Sequence, residues 1–466
     1  DLAFKSLTDL AGLLRLREIS SLELTQAFLQ RIGALDCTLK SYRLVLEEDA
    51  LAAARAADAA FARGEDFGPL QGIPIGVKDL CDTAGVTTAG GMTWHLSRVP
   101  EQDATLVQRL RAGGAVILGK LTMTQGAMSQ HTGMVRPVNP WSDKGQDFWY
   151  GSSSSGSGIA TAAGLCVAAI GSDTGGSIRF PAFCNGVVGL KPTWGRVSRA
   201  GVLPLAPSLD HVGPLSRHID ASAALLRVIA GPDEADRTSL TAPVPDYLAE
   251  LNRGIAALRI GYDPKVFNEG LHPDIKAGVD AALAGLRAAG GQLEEVTLPK
   301  DHGAVVGWIE VCAAETALVH QEDYAQHASL YGPGLGLLVE TGRSLSAEVL
   351  AAAHLARLDY RGAMSRLFEE IDILLLPLMS DPPPSATDVE EGDPTLEAWR
   401  QLIAFSAPAP LTGFPSLQLP SGFDSRGGPV GFQAMAGHLG ETKLFQLGAA
   451  WQRVTEWHRK IPPLAL

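Results

Sequence analysis

Gly151-Ser-Ser153-Ser154-Ser155-Gly-Ser-Gly158, the small-residue run Ile159 to Leu165, and then Gly171-Ser-Asp173-Thr174-Gly175-Gly176-Ser177 form the stretch whose reading decides the architecture of this 466-residue chain. A run of serine and glycine is ordinarily a flexible loop or linker, because it carries too little apolar surface to pack. This one lies between strongly apolar segments and feeds directly into a helix of small residues, as a linker does not. Across residues 145–195, glycine and serine crowd one loop and then recur around that helix.

Working outward, Ile73 to Val77 reads as a short buried strand running straight into Lys78, with Gly68 to Pro74 breaking the helical pattern before it. The spacing predicts a helix over 103–112, a turn at Gly113-Gly114 and a strand over Ala115 to Leu118, one helix-to-strand unit of an α/β layer. Residues 1–65 read as helices: Ser20 and Glu23 make a capping box, and Leu24, Phe28, Leu29 and Ile32 follow at helical spacing. Beyond residue 230 the pattern weakens. Leu258 to Gly261, Asp372 to Pro377 and Ser416 to Pro420 read as strands, and alanine-rich 274–289 and 346–370 as helices. Pro382 to Pro384 and Gly392-Asp-Pro mark a loop, and no repeat with a period of about 20 to 50 residues occurs.

Composition excludes several classes of function. The chain is 46% apolar and 19% charged, enough for one large core or a few ordinary ones. No run approaches the roughly 20 uninterrupted apolar residues that span a bilayer, and no secretory signal is visible, so the expectation is a soluble, cytoplasmic protein without membrane partners. Five scattered cysteines (Cys37, Cys81, Cys166, Cys184, Cys312) with no C-x-x-C pair suit reduced thiols, and each reads as core filler. The eleven histidines include no H-E-x-x-H, so no metal is expected. A net charge of −13 speaks against a nucleic-acid partner and for a small or neutral substrate.

The Ser/Gly segments admit several mechanisms, and spacing removes most. Gly151 to Gly156 has the G-x-x-x-x-G interval of a phosphate-binding loop, but Ser157 and Gly158 stand where the lysine and hydroxyl residue are required. No serine in either segment satisfies G-x-S-x-G, and S-x-x-K does not occur in the chain. A Ser–Lys site assembled from distant segments remains. Serine needs a base to take its proton, and lysine serves only where burial favours its neutral amine. Lys78, behind an apolar strand, is placed for that. An oxyanion needs preorganised donors, which consecutive N–H groups of a glycine-rich turn such as Thr174-Gly175-Gly176-Ser177 supply.

The segment Gly151 to Thr193, with Asp-Thr-Gly-Gly-Ser-Ile-Arg and Gly-Val-Val-Gly-Leu-Lys-Pro-Thr, resembles the signature of the amidase signature family. Gly-Ile-Pro-Ile-Gly-Val-Lys78-Asp, Asp103-Ala-Thr-Leu-Val, Ser208-Leu-Asp-His-Val-Gly-Pro-Leu and Gly413-Phe-Pro-Ser-Leu extend the likeness over nearly the whole chain. Lys78 precedes Ser153 by 75 residues, and Ser153 precedes Ser177 by 24. The resemblance implies that Ser177 is the nucleophile, Ser153 the proton relay and neutral Lys78 the ultimate base. It also implies a cis peptide bond at Ser152–Ser153, a geometry that costs a residue other than proline about 2.5 to 4 kcal/mol. Thr174, Gly175, Gly176 and Ser177 would form the oxyanion hole. Ser154, Asp173 and Arg179 would support the loop, and Met128 and Ser129 would line the leaving-group side of the pocket. The family usually has Gly-Gly before the relay serine and a glycine two residues after it, whereas this chain has Gly151-Ser152 and Ser155.

The implied fold is a single α/β/α domain over 1–466 around a large, mixed, twisted sheet. Within it, 1–65 would supply N-terminal helices used for homodimer contacts, 66–230 the catalytic core, and 231–466 the rest of the sheet and the pocket. The implied activity is hydrolysis of a small carboxamide, anilide or ureide, without a cofactor. The alternative is the glutaminase A subunit of a tRNA-dependent amidotransferase. Glu315-Thr-Ala-Leu-Val-His320-Gln-Glu-Asp-Tyr324, Tyr331-Gly-Pro, Ala353-His-Leu-Ala-Arg and the long 142–150 loop resemble free-standing amidases instead.

Overall fold

The computed structural model describes residues 2–143 and 145–466; Asp1, and Lys144 within the 142–150 loop, lie outside the described residues. Eleven strands form one sheet: β1 (Tyr42–Val45), β2 (Pro74–Lys78), β3 (Val116–Leu121), β4 (Ala168–Asp173), β5 (Val188–Lys191), β6 (His211–Ser216), β7 (Arg259–Tyr262), β8 (Gln292–Glu295), β9 (Ile373–Leu376), β10 (Ser416–Phe423) and β11 (Pro429–Ala436). Their spatial order is β1-β3-β2-β4-β6-β5-β10-β11-β9-β7-β8. The sheet is mixed. β2 runs parallel to both β3 and β4, β7 runs parallel to β8 and β9, and antiparallel pairs join these two parallel groups and add β1 at one edge.

The parallel group β3-β2-β4 positions the site. All three strands are buried along their length, as parallel strands covered on both faces are. Because they share a direction, their C-terminal ends lie at one edge, and the segments that follow them (Asp79 onward, Thr122–Gln130 and Thr174–Ser177) converge there. Open α/β sheets bind ligands at that edge.

The serine-rich run is a closely packed helix start, Ser155–Ala162, every residue of which is buried. A Cβ on Gly156 would lie 2.4 Å from the Ser41 carbonyl oxygen and 2.6 Å from the Thr122 nitrogen, so only glycine lets this helix rest on the backbone beside β3.

The Ser20–Glu23 capping box is formed in both directions: Glu23 N–H donates to Ser20 Oγ at 3.1 Å and Ser20 N–H to Glu23 Oε2 at 2.8 Å. The all-helical reading of 1–65 needs correction, since β1 lies between the helices Ser21–Leu39 and Glu47–Ala62 and pairs antiparallel with β3. Four residues are too few to show a period of two among helical neighbours. The helices Ile219–Ile229 and Ala304–Val319 carry no terminal signal as strong as that capping box. All five cysteines are free, and four of them are buried. No helix among the described residues is long and apolar enough to cross a membrane.

Candidate active site

Lys78 is the last residue of β2 and is fully buried. Its Nζ lies 2.7 Å from Ser153 Oγ, 2.9 Å from Ser154 Oγ and 2.8 Å from Ser172 Oγ. Among the described residues, three hydroxyls and no carboxylate meet this amine. Burial pushes its pKa down to about 7, and the negative charge of Asp173 and Asp210 only partly offsets that. The amine is therefore substantially neutral near neutral pH and able to accept a proton from a serine hydroxyl. Ser154 also bridges to β4, accepting from Ser172 N–H at 3.1 Å and donating to the Ser172 carbonyl at 3.1 Å. The partners of Lys78 thus come from two segments: Ser153 and Ser154 from the serine loop, and Ser172, which the sequence does not single out, from β4.

Ser177 ends the turn that follows β4 and is 8% exposed. Gly176 has φ +137°, and a Cβ there would lie 2.4 Å from the Phe180 ring; on Gly175 it would lie 2.5 Å from the Trp308 ring. Both positions exclude side chains on contact grounds alone. The turn is tied down through its other groups: Thr174 Oγ1 donates to Asp210 at 2.6 Å, Trp308 Nε1 donates to the Thr174 carbonyl at 2.9 Å, and Ser406 donates to the Gly175 carbonyl. Among the described residues none accepts a hydrogen bond from the N–H of Gly175, Gly176 or Ser177.

Two details differ from the expected arrangement. No described peptide bond is cis, so Ser152–Ser153 is trans. And Ser177 Oγ hydrogen-bonds to Ser152 Oγ at 3.1 Å, the residue where the family usually has glycine, with no bond to Ser153. The trans bond is the ordinary low-energy form. In it, Ser153 reaches Lys78 while the neighbouring hydroxyl of Ser152 reaches the nucleophile position. In the sequence Ser152 is only a departure in composition; its contact with Ser177 depends on the fold.

Behind the turn, Asp173 and Arg179 form a fully buried ion pair. Arg179 donates to Asp173 through Nη2 at 2.9 Å and Nε at 3.0 Å, and reaches the Ser406 carbonyl and Gln433 Oε1, each at 2.9 Å, through Nη1. Burial raises the Asp173 carboxyl, but the Arg179 charge and hydrogen bonds outweigh it and hold the pKa below the usual value. The pair links the Ser177 turn to β11. Removing one partner of such a pair typically costs about 3 to 5 kcal/mol.

In front of Ser177 opens a cavity of about 290 Å³. Met128 and Ser129 line it, from the segment after β3. Most of the remaining wall was not visible in the sequence: Trp149, Phe180, Trp308 and Trp399 supply aromatic surface, and residues 384–403 close one side. No local pattern marks Trp308 or Trp399, because Trp308 is one apolar residue on a largely apolar helix and Trp399 one on an amphipathic helix. Among the described residues no lysine, arginine or histidine lines the cavity, and no cluster of His, Cys, Asp or Glu is able to hold a metal.

Known proteins resemble this chain over nearly its whole length. AmiD of Mycobacterium tuberculosis, an amidase by name, is 44% identical over 465 residues, spanning 98% of this chain and 96% of the relative. The A subunit of a glutamyl-tRNA(Gln) amidotransferase from Geobacter is 37% identical over 480 residues, spanning 97% of each chain. Among solved structures, a 6-aminohexanoate cyclic dimer hydrolase superposes with a TM-score of 0.88 at 27% identity, covering 100% of this chain and 99% of its own. Residues 23–445 match the amidase family as a whole. With the buried lysine, the serine loop and the glycine turn at one sheet edge, the chain belongs to the amidase signature family of hydrolases acting on carbon–nitrogen amide bonds.

Proposed function

We propose that the protein is a free-standing amidase in which Ser177 attacks the carbonyl carbon of a small, largely apolar amide and Lys78, acting through Ser153, is the base. The observation that carries the reading is the fully buried amine of Lys78, 2.7 Å from Ser153 Oγ and with its pKa brought to about 7. For the proton to pass from Ser177 to Ser153, Ser177 must leave its partner Ser152; catalytic hydrogen bonds often close only when substrate is bound. As the C–O bond forms, charge on the carbonyl oxygen is met by the free N–H groups of the 174–177 turn. The proton held at Lys78 returns through Ser153 to the leaving nitrogen, the C–N bond breaks, and ammonia or an amine departs. Water then reverses the acylation on the same groups.

The cavity favours this reading over the glutaminase alternative. Glutamine carries an α-carboxylate that a cation ordinarily pairs with, while the described lining is mostly aromatic and aliphatic, its charged side chains are Asp388 and Asp393, and it has no cationic one. Ammonia or aniline release across amides, anilides, ureides and glutamine tests the choice. Ser177→Ala should lower amide hydrolysis by a factor of about 10⁴ or more with the melting temperature unchanged, and a serine-directed phosphonate should label the parent at Ser177. Labelling at Ser153 instead, or full activity of the alanine variant, overturns the assignment.

A further inference from the structure

The side of the cavity formed by 384–394 is held mainly by polar contacts. Only Ala386 is buried in the short helix Ala386–Glu391, yet Pro384, Val389, Gly392 and Pro394 all face the space in front of Ser177. Two carboxylates fasten the strap: Asp147 accepts from the Thr387 backbone N–H at 2.8 Å, and Glu390 ties it to the segment that carries His131. Glu390 accepts from the His131 backbone N–H at 2.9 Å, from His131 Nδ1 at 2.8 Å and from the Tyr150 hydroxyl. Burial raises the Glu390 carboxyl, but its hydrogen bonds with His131 and Tyr150 outweigh that and hold its pKa below the usual value. An ionised carboxylate only accepts, so His131 carries its proton on Nδ1.

The other ring nitrogen, Nε2, lies 2.9 Å from Ser155 Oγ. Ser155 is fully buried and begins the helix Ser155–Ala162, directly after two of the serines that hold Lys78. The chain Ser155–His131–Glu390 has the order of a Ser–His–acid triad, but its serine has no exposed surface and so no access to substrate. Gln130, next to His131, adds one more tie by donating to the Gly392 carbonyl at 3.2 Å. Residues separated by 24 and 259 positions are thereby joined into one link between the serine loop and the strap.

We infer that Glu390 is a specificity-determining latch: its bonds to His131 and Tyr150 hold the strap against the apolar part of the substrate, and so set how much that part contributes to reaction at Ser177. This rests on the reading of Ser177 as nucleophile. Substrate atoms that reach only the 174–177 turn do not meet the strap, whereas a longer chain rests on Val389 and Pro384. Each methylene so buried is worth a factor of about four. Releasing the latch therefore penalises long chains and spares short ones.

Fluorophosphonates that differ only in alkyl length, ethyl against octyl, read this directly on the purified full-length protein. In Glu390→Gln the octyl-to-ethyl ratio of Ser177 labelling rates should fall about tenfold, the loss expected for a bond to a charged group, with the ethyl rate within about twofold of the parent. Tyr150→Phe removes one donor and keeps the ring, and should lower the ratio about threefold; it decides the matter if the glutamine variant does not fold. An unchanged ratio, or both rates falling together, overturns the latch. Failure of either probe to label Ser177 in the parent overturns the nucleophile assignment, and the latch with it.

Discussion

The segment 151–179 and the strap 384–403 face one another across the same cavity and are built on opposite terms. In the first, nearly every residue is buried, the polar side chains are hydrogen-bonded, and glycine lies wherever a Cβ would collide with backbone or an aromatic ring. In the second, the short helix buries one residue and the next helix, Leu396–Ile403, buries Trp399 and Ile403. Chemistry needs atoms held to fractions of an ångström, so it sits where packing over-determines position. Choice of substrate needs only a surface of suitable shape, which a lightly held segment supplies. Changes in the first region should therefore act on the reaction itself, and changes in the second on which amide is taken.

The strongest way to break this comparison is Lys78→Arg. Arginine keeps the charge and much of the length but does not give up its proton in a protein. The expected result is a fall in kcat/KM of about a thousandfold or more on every amide tested, large or small. Near-parental activity would mean that Lys78 supplies only electrostatic stabilisation, and that the buried region does not house a base.

The pH profile sharpens the contrast. The neutral amine is the reactive form, and Lys78 is lowered from 10.5 to about 7. With acylation limiting, kcat/KM should be level above about pH 7 and fall about tenfold per unit below it, as protonation removes the base. Strap variants such as Glu390→Gln should leave this midpoint where it is, because Glu390 does not touch the amine. A midpoint that moves with the strap would show that the two regions are coupled in the reaction and not only in binding.

The smallest effect belongs to the wall. Trp399→Leu keeps apolar packing but removes the ring that faces the cavity. A rise in KM of about fivefold for an anilide or long-chain amide, with kcat nearly unchanged and acetamide unaffected, is the expected pattern in steady-state kinetics. A fall in kcat shared by all substrates would place Trp399 with the catalytic region.

How much of this was legible in the sequence follows the same division. Lys78, Ser153, Ser177 and the glycine turn stand in short segments whose residue types are dictated by local geometry: a strand end, a turn that tolerates no Cβ, a helix start pressed on backbone. Such constraints leave a mark within a few residues. Met128 and Ser129 could be named only through resemblance, and they do line the cavity. Tertiary structure alone decided the rest. The lowered Lys78 pKa is a property of burial beneath elements scattered along the chain. The hydroxyl that meets Ser177 is that of Ser152, a neighbour of Ser153 with identical chemistry that only the folded arrangement tells apart from it. Trp308, Trp399 and the His131–Glu390 link join residues more than a hundred positions apart. Within their own segments they are ordinary apolar or charged residues, and only the packing of distant elements gives them a common cavity to face.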